Sequence, residues 1–312
     1  SQACTYHQLL ARLGEAGDQH RRQIEMDLPR TFPDHRLFRD PQTHAPLRRL
    51  LCAFALRDPG RGYTQSLNFI GAFALLFLDE QLAFWCLCAV AERLLPRHFE
   101  QGMIGVQVEN AAFETLARAQ PQLSRAIKRL DALEAELPLI TTSWFMALFT
   151  TALPAEAALR VWDLLFFHGP SLLLATGLAV LELTAPTLER CAHLEQVYEV
   201  LKDLNEVTAD ADSLVRLTLR YLRAITARGG APLAALRTDY ERQLRLDAAR
   251  HDLSRTTYEL ARNYGRAGSH AVAAASAVPR GALELVVAST RGAPPPAPEW
   301  PAAAVLQARR SA

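Results

Sequence analysis

Lysine is nearly missing from this chain of 312 residues. Only Lys128 and Lys202 occur, and arginine carries the rest of the positive charge. Basic and acidic side chains still balance, 34 against 33. A general binder of nucleic acid or of an anionic membrane surface usually shows a basic excess, so that class is set aside. Cysteine is scarce as well. Cys4, Cys52, Cys86, Cys88 and Cys191 are odd in number and scattered, which argues against a disulfide framework and suits a reducing compartment. Cys86 and Cys88 stand two apart on a predicted helix and point to different faces, as small core residues do. No metal site is expected.

Long apolar runs are also lacking. Phe69–Leu78, Leu82–Ala91 and Leu172–Leu181 are each near ten residues, against roughly 20 for a bilayer span. They read as core helices of a soluble protein without a transmembrane segment. No secretory signal opens the chain, and it begins with Ser rather than Met, as a piece of a longer protein would. The motifs of a self-contained hydrolase are missing too: there is no P-loop, HExxH, G-x-S-x-G or paired Cys–His spacing. The histidines are scattered, and His35 reads as a loop residue with local hydrogen bonds.

What is present is helical. Apolar residues recur three and four apart, and short Pro or Gly loops separate the segments. Helices are predicted over 47–57, 66–78 and 80–95, then in "QVENAAFETLARAQ" and "PQLSRAIKRLDALEAEL". Further helices are predicted in "TSWFMALFTTAL", "PAEAALRVWDLLFFHG" and "PSLLLATGLAVLELT", with at least two more over 190–225. The segment 66–78 is apolar nearly all round and should be central. From about 266 the composition turns rich in Ala, Pro and Gly, which reads as a tail over 266–312.

Three stretches could carry chemistry. In "IEMDLPRTFPDH" (24–35), Arg30 lies between Pro29 and Pro33, so a stiff, non-helical mount is expected. Asp27 is three residues before Arg30 and could orient its guanidinium; an ordinary surface ion pair accounts for the spacing equally well. In "DPGRGYTQSLNFI" (58–70), a glycine-rich loop enters the most apolar helix. Gln65 would be an exposed amide on a rigid base, or Thr64 or Gln65 would simply cap the helix while Tyr63 packs. In 143–169, Trp144, Phe145, Leu148 and Phe149 form an apolar stripe and Trp162 should be buried. That block reads as scaffold.

These stretches, in this order, resemble the TBC domain, the helical GTPase-activating domain that acts on Rab GTPases. Ile24, Asp27 and Arg30 match IxxDxxR; Tyr63 and Gln65 match YxQ; residues 144–169 resemble the downstream "WF…LF…LP…R.WD..F..G" block. The likeness covers about residues 5 to 225. The resemblance implies an all-α, V-shaped fold of two lobes, with an N-terminal lobe over 1–140 and a C-terminal lobe over 141–265. It implies that Arg30 and Gln65 are catalytic fingers, supported by Asp27, Tyr63 and Ile24. Phe32, Arg61 and Trp144 are expected as exposed partner contacts. The partner implied is a GTP-bound Rab-type GTPase of vesicle trafficking. It would bring GTP and Mg²⁺, so this chain needs no cofactor of its own. A cytoplasmic location with peripheral recruitment to membranes is expected. A non-catalytic Rab-binding module and a helical scaffold for an unrelated protein remain alternatives. Two departures stand out: the family's usual glycine after the glutamine is Ser66, and the upstream RxxxW block has no counterpart, residues 1–20 holding no tryptophan.

Overall fold

The computed structural model describes residues 5–15, 18–40, 44–100 and 102–264. The expected tail, 266–312, lies outside them. The regular structure of the described residues is all helical, with no strand among them. Helix α1 is Tyr6–Ala11, opened by Thr5 in a reciprocal capping box with Gln8. Helix α2 is Asp18–Asp27, α3 His44–Arg57, α4 Leu67–Leu75 and α5 Glu80–Cys88. Helix α3 packs on α1, α2, α4 and α5 and so organises the first part of the fold.

Helices α6 (Ile104–Arg118), α7 (Ser124–Ala132), α8 (Pro138–Met146), α9 (Ala155–His168) and α10 (Ser171–Leu188) follow. Helices α11 (Leu194–Lys202) and α12 (Ala211–Ile225) come next. Helix α10 is the axis of this part, touching α6, α7, α8, α9, α11 and α12. Among the described residues it is the one helix long and apolar enough to cross a membrane, yet most of that stretch is buried in the fold. Its burial on nearly every side explains its composition, since a helix apolar all round belongs inside. At Gly177 an added Cβ would stand 2.6 Å from the Phe113 ring, so glycine lets α6 and α10 approach.

Two segments depart from the periodic reading. The helix expected through "TSWFMALFTTAL" stops at Met146, and Leu148 (φ 51°) and Phe149 (φ 63°) turn the chain left-handed while fully buried. Neither Gly nor Pro marks that break. The last helix, α13 (Ala231–Tyr264), runs for 34 residues and is not among the helices predicted from the sequence. The packed unit extends to Arg242; from Gln243 the same helix continues to Tyr264.

The described cysteines, Cys52, Cys86, Cys88 and Cys191, are free thiols. Burial pushes the Cys86 thiol up to about 12.

Candidate functional site

Helix α2 ends where the site begins. Pro29 enters the first turn of a 3₁₀ segment, Leu28–Arg30, and the chain leaves it extended at Thr31 (ψ 106°). Arg30 therefore sits on a tightened helical turn, and not on the extended mount that its flanking prolines suggest. Phe32 follows at φ 46°. Ile24, one turn before Asp27, is fully buried and seals α2 onto the core.

Asp27 is the hub. Its carboxylate is 0% exposed. Oδ2 accepts a 2.5 Å hydrogen bond from the Tyr63 hydroxyl, and Oδ1 accepts from Gln23 Nε2 at 3.0 Å. Oδ1 also holds Arg30 Nη2 at 2.5 Å, while the arginine side chain stays 52% exposed. So this is not the ordinary surface ion pair that the spacing alone allowed. One end of the guanidinium is fixed by a buried anion while about half of the side chain stays open to solvent. Burial, followed by the bond to Asp27, pushes the Tyr63 phenol well above its usual pKa. Tyr63 therefore stays protonated and donates.

The second segment is fastened at each step. Arg61 clasps Asp58 at 2.6 Å and reaches the Pro96 carbonyl at 3.4 Å. Gly62 (φ 64°) lies against His20, where an added Cβ would fall 2.3 Å from the ring, so a side chain would push the ring aside and strain a left-handed backbone. His20 Nδ1 accepts the Tyr63 backbone N–H at 3.3 Å. Gln65 is exposed, and its amide has no hydrogen-bond partner among the described residues. Ser66 follows at φ 81°. That left-handed backbone gives a physical reason for glycine at this position. Neither Thr64 nor Gln65 caps α4. Instead Asn68 Oδ1 reaches back to the Ser66 N–H at 3.1 Å.

The structure thus brings Ile24, Asp27, Arg30, Tyr63 and Gln65 onto two adjacent segments joined through Asp27 and Tyr63. The expected partner contacts fare differently. Trp144 is 1% exposed and packs on Phe149, so it belongs to the core and cannot meet a partner. Arg61 is largely covered, its guanidinium committed to Asp58 of its own loop and to the Pro96 carbonyl. Phe32 is half-buried against Phe38 and Phe69. Trp162 is buried as expected and donates to the Leu148 carbonyl at 3.1 Å. His35 accepts locally from the Leu37 N–H. Three polar residues were missed from sequence: His20, Thr31 and Asn68. Asn68 carried a signal, being the one amide in the most apolar predicted helix. Among the described residues no group of His, Cys, Asp or Glu is gathered as metal ligands would be.

An all-α scaffold that seats a guanidinium and a free amide on two loops tied to one buried carboxylate defines a narrow class of protein. The chain belongs to the Rab-GTPase-TBC domain family, whose profile matches residues 2–188. It is 31% identical over 257 residues to TBC1 domain family member 2A of Rattus norvegicus, covering 81% of this chain and 27% of that protein. The Bos taurus counterpart is 32% identical over 216 residues, 68% of this chain and 23% of that protein. The chain thus spans about a quarter of the length of these relatives. Among solved structures, the Chlamydomonas flagellar RabGAP TBC domain superposes with TM-score 0.60 at 27% identity, over 69% of this chain and 72% of that one. The Ypt/Rab-GAP domain of Gyp1p shares the fold, with TM-score 0.58 at 19% identity over 70% and 79%.

Proposed function

We propose that this chain is a GTPase-activating domain that completes the catalytic centre of a GTP-bound Rab-type GTPase with Arg30 and Gln65. Hydrolysis of GTP builds negative charge on the β- and γ-phosphate oxygens. A guanidinium already oriented by the protein stabilises that charge with little reorganisation. Arginine suits the task because it stays charged and presents a planar fork of donors, which lysine does not. The Gln65 amide, able to donate and to accept, would orient the attacking water. GTP and Mg²⁺ come with the GTPase, and no cofactor of this chain is required.

The observation that carries the reading is the Asp27 carboxylate, buried outright and shared between Arg30 and Tyr63. A buried charge needs partners, and here its partners are the two motif segments themselves. The relatives named above as RabGAP domains support the same reading.

The test is GTP hydrolysis by a panel of GTP-loaded Rabs, with and without the protein. Acceleration of at least one Rab is expected. Arg30→Ala should lose about 10³-fold or more of it, and Arg30→Lys should restore little. Gln65→Ala should lower the rate more than the affinity. Parental acceleration by Arg30→Ala would reject the assignment. Rab binding without any acceleration would leave a binding module instead.

A further inference from the structure

Asn68 is fully buried in α4, the most apolar helix of the first part of the fold. Its Nδ2 donates to Thr31 Oγ1 at 2.7 Å, and its Oδ1 accepts from the Ser66 N–H at 3.1 Å. Thr31 Oγ1 spends its own proton on the Asp27 carbonyl at 2.7 Å, so toward Asn68 it can only accept. The Ser66 N–H can only donate. The two partners therefore fix which way the amide faces. Thr31 is itself fully buried. Thr31 directly follows Arg30, and Ser66 directly follows Gln65. One amide thus grips the residue behind each proposed finger.

We infer that Asn68 is a positioning residue: it sets the spacing between Arg30 and Gln65 by cross-linking Thr31 to Ser66. With the Tyr63–Asp27 bond it closes a ring of hydrogen bonds through 27–31 and 63–68. The bonds to Asp27 and His20 both meet the second segment at Tyr63, so without Asn68 that segment can pivot about one residue. Asparagine is required because the site asks for one donor and one acceptor on adjacent atoms of one side chain. A buried amide in an apolar helix costs stability unless both ends are satisfied, and here both are satisfied by the loops that carry the fingers. This inference rests on the proposed finger roles of Arg30 and Gln65.

The experiment uses the Rab that the parent chain accelerates most and compares Asn68→Ala with Thr31→Val, a nearly isosteric change that leaves the packing volume in place. Single-turnover hydrolysis is measured against concentration of the domain, to separate the saturating rate from the half-saturating concentration. A misplacement near 1 Å costs about 10²-fold, so each variant should lower the saturating rate by about 10–100-fold with half-saturation little changed. The same substitutions are then made in the Gln65→Ala background. There the added rate penalty should shrink to about twofold, since residues acting as one unit are not additive. The fall in melting temperature should be the same in both backgrounds. A folded Thr31→Val variant with the parental rate would overturn the inference, as would penalties that multiply fully in the Gln65→Ala background. Failure of the finger assignment itself has a different signature, namely parental activity in Arg30→Ala.

Discussion

Around residues 24–68 the buried contacts that matter are polar. Asp27, Tyr63, Thr31 and Asn68 bond one another at 2.5 to 2.7 Å, with Gln23, His20 and the Ser66 amide at the margins. Around residues 144–169 they are aromatic. Trp144 lies 5.7 Å from Phe149, Phe145 lies 5.5 Å from Phe113, and Trp162 lies 4.9 Å from Phe73. Hydrogen bonds are directional and lose their worth with small displacements, so a polar ring fixes where its attached side chains stand. Dispersion and burial are cumulative and weakly directional, so an aromatic cluster holds the fold without aiming anything. The first block is held by directional polar bonds and the second by apolar packing.

The largest effect that separates them is expected in the aromatic block. Trp144→Ala should cost about 3–5 kcal/mol of stability, from lost burial and the cavity left behind. Phe149→Gly should also destabilise, because the lost buried ring outweighs the relief of its left-handed backbone. Urea unfolding gives the stability, and GTP hydrolysis normalised to folded protein gives the function. Loss of stability with unchanged specific activity keeps the two blocks distinct. A folded Trp144→Ala variant with impaired hydrolysis would join them into one site.

The polar block should answer in the reverse sense. Tyr63→Phe keeps the ring and removes one bond to a buried carboxylate, which costs about 1–3 kcal/mol. The rate should fall further than that loss of fold alone explains, because Asp27 is freed on the side that ties the loops together. The change also has a pH signature. The folded-state pKa of Tyr63 is raised, by burial first and then by the bond to Asp27. A raised pKa gives stability that is whole below the unfolded tyrosine value, about 10, and is lost as pH climbs above it. Tyr63→Phe should therefore flatten the alkaline limb of a stability–pH curve while leaving its neutral region lower but level. An unchanged alkaline limb would show that the phenol is not held as the geometry implies.

The same contrast explains what could be read from the sequence. The helices of the apolar core were legible because burial imposes periodicity, and α3, α4, α9 and α10 fall where the pattern puts them. Helix α13 was harder to see, since Leu233, Leu236 and Tyr240 pack on the core at helical spacing but stand among many charged and polar residues. The break at Leu148 and Phe149 was hidden because tertiary packing, and no local Gly or Pro, sets those dihedrals. Within the site, the Asp27–Arg30 pair was visible as a local spacing. The Tyr63–Asp27 and Asn68–Thr31 bonds span 36 and 37 residues and leave no local trace. Trp144 misled for a related reason: a tryptophan in a motif looks like a contact residue until its burial is known.

The smallest expected effect isolates the backbone itself. Ser66 and Phe149 share the left-handed region, at φ 81° and 63°. A non-glycine residue there carries roughly 1–2 kcal/mol of steric cost. At Ser66 little opposes its relief: the side chain makes no capping bond to α4, and the backbone N–H bonded to Asn68 would remain. Glycine does add freedom to the unfolded chain, which takes back part of the gain. Ser66→Gly should therefore stabilise by about 0.5–1 kcal/mol, raise the melting temperature by a few degrees, and leave the hydrolysis rate near the parental one. At Phe149 the same substitution relieves the same dihedral and yet destabilises, because a buried ring is lost with it. Opposite signs at two positions with one backbone geometry would place the strain in the polar block on the dihedral alone. A Ser66→Gly variant less stable than the parent would show instead that the serine side chain holds this turn.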